Sequence, residues 1–505
     1  MTVTSTDVVI FGSGNAALCA AIAAREAGAR VVVVEKADRD LAGGNSRYTA
    51  GAMRVAYDGP DDLTPLLRDP DDARLATADL GSYPAERFAT DLAGFNDGAP
   101  LTEEQRALVD ESLPTLGWLA GHGVTFDPIW DRQSFDRDGR RVFWGGLTVA
   151  ANGEGPGLVD AEMAALTRLG GSIRYGTAVT GLVTDQDRVV GVELDTGRRS
   201  ELLLAGAVVL ACGGFEADSA KRVEHLGPQW AAAKVRGTPH NTGIGLELAF
   251  GAGAARHGAY HACHATPMDR NTPAHGNLDL PALERKNYRK VCYFLGIMVN
   301  ADGERFVDEG MDFRNYTYAQ FGAAVLDQPG GFAWQLFDAK VAELLYEEYR
   351  FPAASVVRSD TIDGLLDQLD GVDRAVVGQT VANYNAAVQA DRAFDPTVKD
   401  GRATAGIEPP KSNWAQALDT PPFQAFPVTG GITFTYGGLH VDRNGGVLRD
   451  DGTAIPGLHA CGELVGGVFL AGYPGGSGLT AGAVFGRRAG HGAAAAIGRD
   501  GRDGL

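Results

Sequence analysis

Hydrophobic positions in this chain come mostly in short unbroken runs, each closed by glycine. Asp7 to Phe11 reads DVVIF, and a continuous apolar run of that length predicts a parallel strand covered on both faces. Gly12-Ser13-Gly14-Asn15-Ala16-Ala17 follows, and the alanine-rich stretch from Ala16 to Ala27 has a helical pattern that Gly28 stops. Val31 to Val34 gives a second strand ending in Glu35, which completes one βαβ unit of about 30 residues. A similar strand recurs at Ala207 to Ala211 and runs into Cys212-Gly213-Gly214-Phe215. Between them, Leu101 to Gly121 reads as a helix and Val179 to Leu194 as a small β-meander. From about Thr238 the texture changes. His240, His257, His261, His264 and His275 mix with aromatic and basic residues through to about Ala323, and a helical stretch runs from Thr361 to Ala390. Glycine-rich strand-and-turn sequence returns at Gly430 to Gly438 and Ile455 to Gly478, before a small-residue helix from Leu479 to Ile497. Similar sequence at both ends around a different middle predicts a discontinuous α/β domain carrying an inserted one.

Composition narrows the partners. Among 505 residues, 45 Lys+Arg against 64 Asp+Glu leave a net charge of −19, which argues against nucleic acid and anionic membrane surfaces. The five cysteines, Cys19, Cys212, Cys263, Cys292 and Cys461, lie far apart without a C-x-x-C spacing. This argues against a disulfide framework, a zinc ribbon, an iron–sulfur cluster and a c-type haem site. No segment reads as a membrane span or apolar leader, so the expectation is a soluble, cytoplasmic protein.

Gly12-x-Gly14-x-x-Ala17 sits between a strand and a helix, where each small residue has a task. Gly12 permits the tight turn, Gly14 lets backbone N–H groups approach a pyrophosphate, and Ala17 keeps the helix close to the sheet. Glu35, 21 residues after Gly14, is placed to accept hydrogen bonds from an adenosine ribose. Gly43-Gly44-Asn45-Ser46 and Gly462-Glu463 supply two further glycine-rich loops with polar side chains. The spacing predicts dinucleotide binding and does not separate FAD from NAD.

The stretches GSGNAALCAAIAAREAG, VVVVEKA, GGNSRYTAG, VVLACGGFEAD, GERFVDEG, IPGLHACGELVGG and GLTAGAVFGRRAG resemble, in order, the fumarate reductase/succinate dehydrogenase flavoprotein family. Within it, GERFVDEGMDFRNYTYAQFG and YPGGSGLTAGAVFGRRAG look like the tricarballylate dehydrogenase branch. The resemblance implies a Rossmann-like FAD-binding domain at 1–239 and 435–505, with an inserted α+β capping domain at 240–434. It places Gly12, Gly14, Glu35, Lys36, Asn45, Ser46 and Glu463 on FAD. The same motifs add Asn15, Ala16, Ala17, Gly43, Gly44, Gly51, Gly213, Gly462, Gly478, Leu479 and Thr480 as cofactor contacts. Some relatives attach FAD to a histidine after the second strand; Ser46-Arg47-Tyr48-Thr49 offers none, so non-covalent FAD is expected. No haem or iron–sulfur ligand set is present, which implies a separate electron acceptor.

The resemblance also implies a substrate site. Arg314 falls within one residue of the family's proton-shuttle arginine, whereas elementary chemistry gives it a bidentate grip on a carboxylate, or an ion pair with Glu309 or Asp312. Tyr316 and Tyr318 are alternative acid/base groups, and His264 lies near a His-Pro-Thr substrate motif without its proline. No i, i+4 histidine pair with a supporting acid suggests a metal. Three departures stand out. The family's Thr-Glu pair appears as Arg289-Lys290, its late histidine as Thr433 or Phe434, and its last arginine as Tyr473-Pro474-Gly475-Gly476. The last segment also resembles 3-ketosteroid dehydrogenases. Together these imply an FAD-dependent dehydrogenase forming or reducing a C=C bond in a small, tricarballylate-like polycarboxylate. Hydride would pass to flavin N5, with His264, Arg289, Lys290, Arg314 and Tyr473 around the substrate. The alternatives are a ketosteroid-type dehydrogenase, a fumarate reductase, and a non-catalytic flavin-binding electron-relay subunit.

Overall fold

In the computed structural model, which describes residues 2–276, 278 and 280–500, the first apolar run becomes the middle of a sheet. Thr2–Phe11 lies parallel to Val31–Val34 on one side and to Ser200–Leu210 on the other, with Val8 opposite both Val31 and Ala207. Ser172–Arg174 continues the sheet beyond Val31–Val34, and Ala178–Asp185 and Arg188–Asp195 form an antiparallel hairpin beyond Ser200–Leu210. Ala454–Ala460 joins from the far end of the chain, parallel to Val208–Leu210. Val8, Val9, Ile10, Val33 and Val34 have no exposure, as a sheet covered on both faces requires.

Helix Asn15–Glu26 covers one face and packs against Ser477–Asp500 and Glu154–Arg168. That contact brings the start of the last helix beside the glycine turn. The helix expected from Leu101 runs Glu103–Gly121, because Thr102 caps it in a reciprocal box with Gln105.

A second, mostly antiparallel sheet forms around the long strand Phe423–Thr435. Cys263–Asp269, Phe332–Phe337, Val357–Ser359 and Lys234–Val235 all pair with it, and Ile297–Asn300 extends it. Helix Arg314–Leu326 packs on Cys263–Asp269 and Phe423–Thr435. Two features differ from the sequence pattern. The stretch 361–390 is two helices, Ile362–Leu366 and Arg374–Ala387, and the late strand begins at Phe423 instead of Gly430. No described helix is long and apolar enough to cross a membrane.

Candidate functional site

Two adjoining cavities run from the glycine turn to the second sheet. The first is lined by Gly12, Ser13, Gly14, Glu35, Lys36, Gly44, Gly213, His240 and Asn241, among others. Gly12 has φ 107°, and a Cβ there would lie 2.4 Å from the Ala211 carbonyl oxygen. Gly14 differs: its φ of −72° suits any residue, and a Cβ would meet nothing in the protein nearer than 3.5 Å. The space in front of Gly14 therefore belongs to a ligand.

Helix Asn15–Glu26 presents its N-terminus there with no cap from Gly14, although Ser46 Oγ accepts from the Asn15 N–H at 3.1 Å, and such an end favours an anion. Glu35 is held ready by Ser13, whose Oγ donates at 2.5 Å, and by the Ala37 N–H at 2.7 Å. Ser13 Oγ also accepts from the Gly43 N–H at 2.9 Å, a bracing role that the glycine spacing did not reveal. An open backbone cradle, a helix N-terminus and a fixed carboxylate fit the pyrophosphate and ribose of FAD. Gly14→Val is accordingly expected to fold normally, by circular dichroism and melting, and to purify colourless. Full flavin loading would contradict this reading of the turn.

The second cavity, about 220 Å³, adjoins the first through Asn15, Ala16, Asn45, Ser46, Gly462 and Glu463, which line both. Gly478 and Leu479 add the first turn of the last helix to its wall. Other expected cofactor contacts stand back from the cavities. Ala17 is buried, Gly43 adjoins Arg47, Gly51 abuts Glu154, and the Thr480 hydroxyl donates to the carbonyl of Gly476, just before its helix.

The far wall is strongly basic, with Arg132, Arg236, Arg289 and Arg314 all facing the cavity. They are not equivalent. Arg289 Nε donates to Glu348 at 2.8 Å, and Arg132 bridges Glu154 at 2.8 Å and Glu348 at 3.6 Å. Burial alone would raise the Glu348 carboxyl, but Arg289 and Arg132 outweigh it and hold it at about 2. Arg314 donates to the Tyr346 hydroxyl at 3.0 Å and the Arg132 carbonyl at 3.2 Å. Arg236 donates to Thr433 Oγ1 at 3.3 Å and the Tyr48 carbonyl at 3.2 Å, while its Nε has no partner. Among the described residues, no carboxylate forms a salt bridge with Arg236 or Arg314, nor do Glu309 and Asp312 hold Arg314. Burial, then the charge of Arg289, pulls the Arg236 guanidinium down to about 10, which still leaves it charged at neutral pH.

The remaining wall is aromatic. His264 is 1% exposed, stacks on Phe434 and meets Tyr318 and Tyr473 edge-on, with ring centroids 4.9 to 5.1 Å apart. Burial, then Arg236, pushes it well below the usual imidazole range, so it is neutral and its Nδ1 is unpartnered. The Tyr318 and Tyr473 hydroxyls lie 2.5 Å apart, and burial, then Tyr318, raises Tyr473 far above an ordinary phenol.

Two expected site residues, Lys290 as a substrate cation and Tyr316 as an acid/base group, do not line the cavity. Lys290 turns inward, donating to the Glu348 carbonyl at 2.7 Å beside Asp269 at 3.8 Å; burial brings its ammonium down to about 8. Tyr316 donates to Asp91 at 2.7 Å, because in helix Arg314–Leu326 the cavity face takes Arg314, Asn315 and Tyr318. The histidine-rich run is divided: His240 lines the first cavity and His264 the second, whereas the ligand atoms of His257, Glu104 and His440 lie within 4.8 Å of one another outside both. Sequence pattern missed Arg132 and Arg236, since a single arginine, as in VRGTP, carries no periodic or motif signal.

Residues 7–479 match the family described as FAD binding domain. The chain is similar to "Fumarate reductase (cytochrome)" of Shewanella frigidimarina, 29% identical over 498 residues, covering 97% of this chain and 77% of that protein. It is also similar to "4-oxocyclohexanecarboxylate 2-dehydrogenase" of Sinomonas cyclohexanicum, 29% identical over 548 residues, covering 95% and 91% respectively. Its fold matches the open conformation of a flavocytochrome c3 fumarate reductase with a TM-score of 0.72 at 26% identity, over 98% of this chain and 79% of that one.

Proposed function

Because the chain belongs to this family of FAD-binding flavoproteins, and is an FAD-dependent oxidoreductase of the fumarate reductase type, we propose that it oxidises or reduces a C–C bond in a small carboxylic acid gripped by Arg236 and Arg314. One observation carries the reading: the buried Arg236 and the half-buried Arg314 face the cavity without a carboxylate among the described residues. Buried cations are costly unless something pairs with them, and a substrate carboxylate is the pairing group the cavity lacks.

FAD, when bound, accepts or returns the hydride equivalent. The chain's own groups do the rest. The arginines fix the carboxylate and so orient the bond, while His264, Phe434 and Tyr473 shield it from water. Tyr318 and Tyr473, hydrogen-bonded to each other, can pass a proton through their paired hydroxyls. Arg314 is the other candidate for the proton, as the family resemblance implies. Holding FAD without a covalent bond agrees with the absence of histidine from residues 46–49, and acid precipitation should release the flavin intact.

The count of free cations bears on the substrate. Glu348 neutralises Arg289, and Lys290 stands outside the cavity, so two free arginines support one or two carboxylates better than the three of tricarballylate. A second reading is favoured by the tyrosine pair: an acid that also bears a ketone, of the kind named for the Sinomonas relative, with the hydroxyls donating to its carbonyl oxygen. Anaerobic bleaching of the holoenzyme by succinate, tricarballylate, 4-oxocyclohexanecarboxylate and a neutral steroid ketone separates these cases. A carboxylate is expected to bleach fastest; fastest bleaching by the neutral ketone would sink the proposal.

A further inference from the structure

Glu216 lies directly behind the cavity wall, with no exposed surface. Its Oε1 accepts from the side-chain amides of Asn45 and Asn241, both at 2.6 Å, while its Oε2 has no donor. Asn45 lines both cavities and Asn241 the nucleotide end. Asn45 also reaches the second sheet, donating to the Thr433 carbonyl at 2.7 Å and accepting from the Thr238 N–H at 2.9 Å. Beside Glu216 stands Glu463, which lines both cavities and accepts at Oε1 from the Thr435 N–H and hydroxyl, at 2.7 and 2.9 Å. Glycines leave room for the cluster. A Cβ on Gly214 would come within 2.1 Å of Glu463, and one on Gly237 within 2.0 Å of Asn45.

Two ionised carboxylates do not belong in this place. Among the described residues no lysine or arginine forms a salt bridge with either. Arg222 acts on Glu216 through its charge, but its guanidinium donates to backbone carbonyls, that of Glu216 at 2.7 Å included. The other ionisable neighbours are the thiols of Cys263 and Cys212, which supply no positive charge. Burial, then the charge of Glu463, drives the Glu216 carboxyl well above the usual range, and burial raises Glu463 as well. A protonated carboxyl has a donor that a carboxylate lacks, and a proton on Oε2 satisfies the one orphaned oxygen.

We propose that Glu216 is a positioning residue acting as a neutral carboxylic acid, donating from Oε2 to the Glu463 carboxylate and so fixing Asn45, Asn241 and Glu463 toward the cofactor. The three side chains come from segments far apart in the sequence, and Glu216 is the group they share. Glutamine can copy an acid that donates from one atom and accepts at the other. It cannot copy a carboxylate.

The test compares the wild-type holoenzyme with Glu216→Gln and Glu216→Leu from about pH 6 to about pH 9, following flavin fluorescence after dilution and melting temperature. Wild-type flavin loss should accelerate, by up to tenfold per pH unit, as the pH rises through the raised carboxyl. Glu216→Gln should match the wild type within about threefold at neutral pH and lack the alkaline loss; Glu216→Leu should release flavin about tenfold faster throughout. A group held protonated in the folded state stabilises on the acid side, so the melting advantage of Glu216→Gln should widen with pH. If Glu216→Gln releases flavin as fast as Glu216→Leu, or loses it at alkaline pH in step with the wild type, the proposal fails.

Discussion

Arg236→Met is expected to keep its flavin, to melt no lower than the wild type, and to turn over an anionic substrate about a hundredfold more slowly. The two effects share one cause. Arg236 is 6% exposed, its Nε has no partner among the described residues, and among them it is held by Thr433 and a backbone carbonyl. An uncompensated buried cation costs the empty protein stability, and an unbranched apolar side chain of similar reach removes that cost. The charge-assisted hydrogen bond to a substrate carboxylate disappears with it, worth about 3 kcal/mol in the transition state. Arg236→Lys should recover part of the rate, since lysine keeps the charge and loses the fork. Steady-state kinetics with thermal melting decide the matter. Unchanged kcat/KM, or a melt several degrees below the wild type, would make Arg236 an ordinary structural arginine.

Glu348→Gln should behave in the opposite way, losing stability first. Here the charges are matched: Glu348 is fully buried between Arg289 and Arg132, and Lys290 donates to its backbone carbonyl. Removing the anion leaves Arg289 without its partner, which typically costs about 3 to 5 kcal/mol. The pH dependence carries the same sign. The carboxyl titrates near 2 when folded, against 4.5 as its ordinary value, so its contribution is present above about pH 4.5. It is lost as the pH falls toward 2, and is on the order of 3 kcal/mol. The variant should therefore melt well below the wild type at neutral pH, with the gap closing in acid. A constant gap from neutral pH to about pH 3 would show that Glu348 is not ionised in the native state. The same change frees the charge of Arg289, so tricarballylate should gain on succinate among the substrates of any variant that folds.

The dinucleotide half was legible because its physics is local. DVVIF and VVVV have to be buried strands, the glycine turn has to face a ligand, and Glu35 follows at the right interval. The second sheet was hard to read because its central strand, Phe423–Thr435, contains Pro427, Gly430 and Gly431, which read as loop. Helix Arg314–Leu326 begins without a side-chain cap, so nothing in the sequence announced it, and Tyr316 was credited with a place its periodicity denies. Lys290 looked like a substrate cation because a pair of basic residues carries no sign of which one points inward. Glu216 stood in plain view within CGGFEAD, but an acid acquires meaning only from what the fold brings beside it.

The glycines beside that acid have an evolutionary consequence. Neither Gly214 nor Gly237 can take a side chain while Glu463 and Asn45 hold their positions. A descendant that abandoned the acid would leave two donors and a carboxylate unsatisfied before any glycine position became free to fill the gap. Glutamine at position 216 aside, each single step out of the arrangement is worse than the start, so drift can alter the substrate wall one residue at a time while the neighbours of that acid change together or stay.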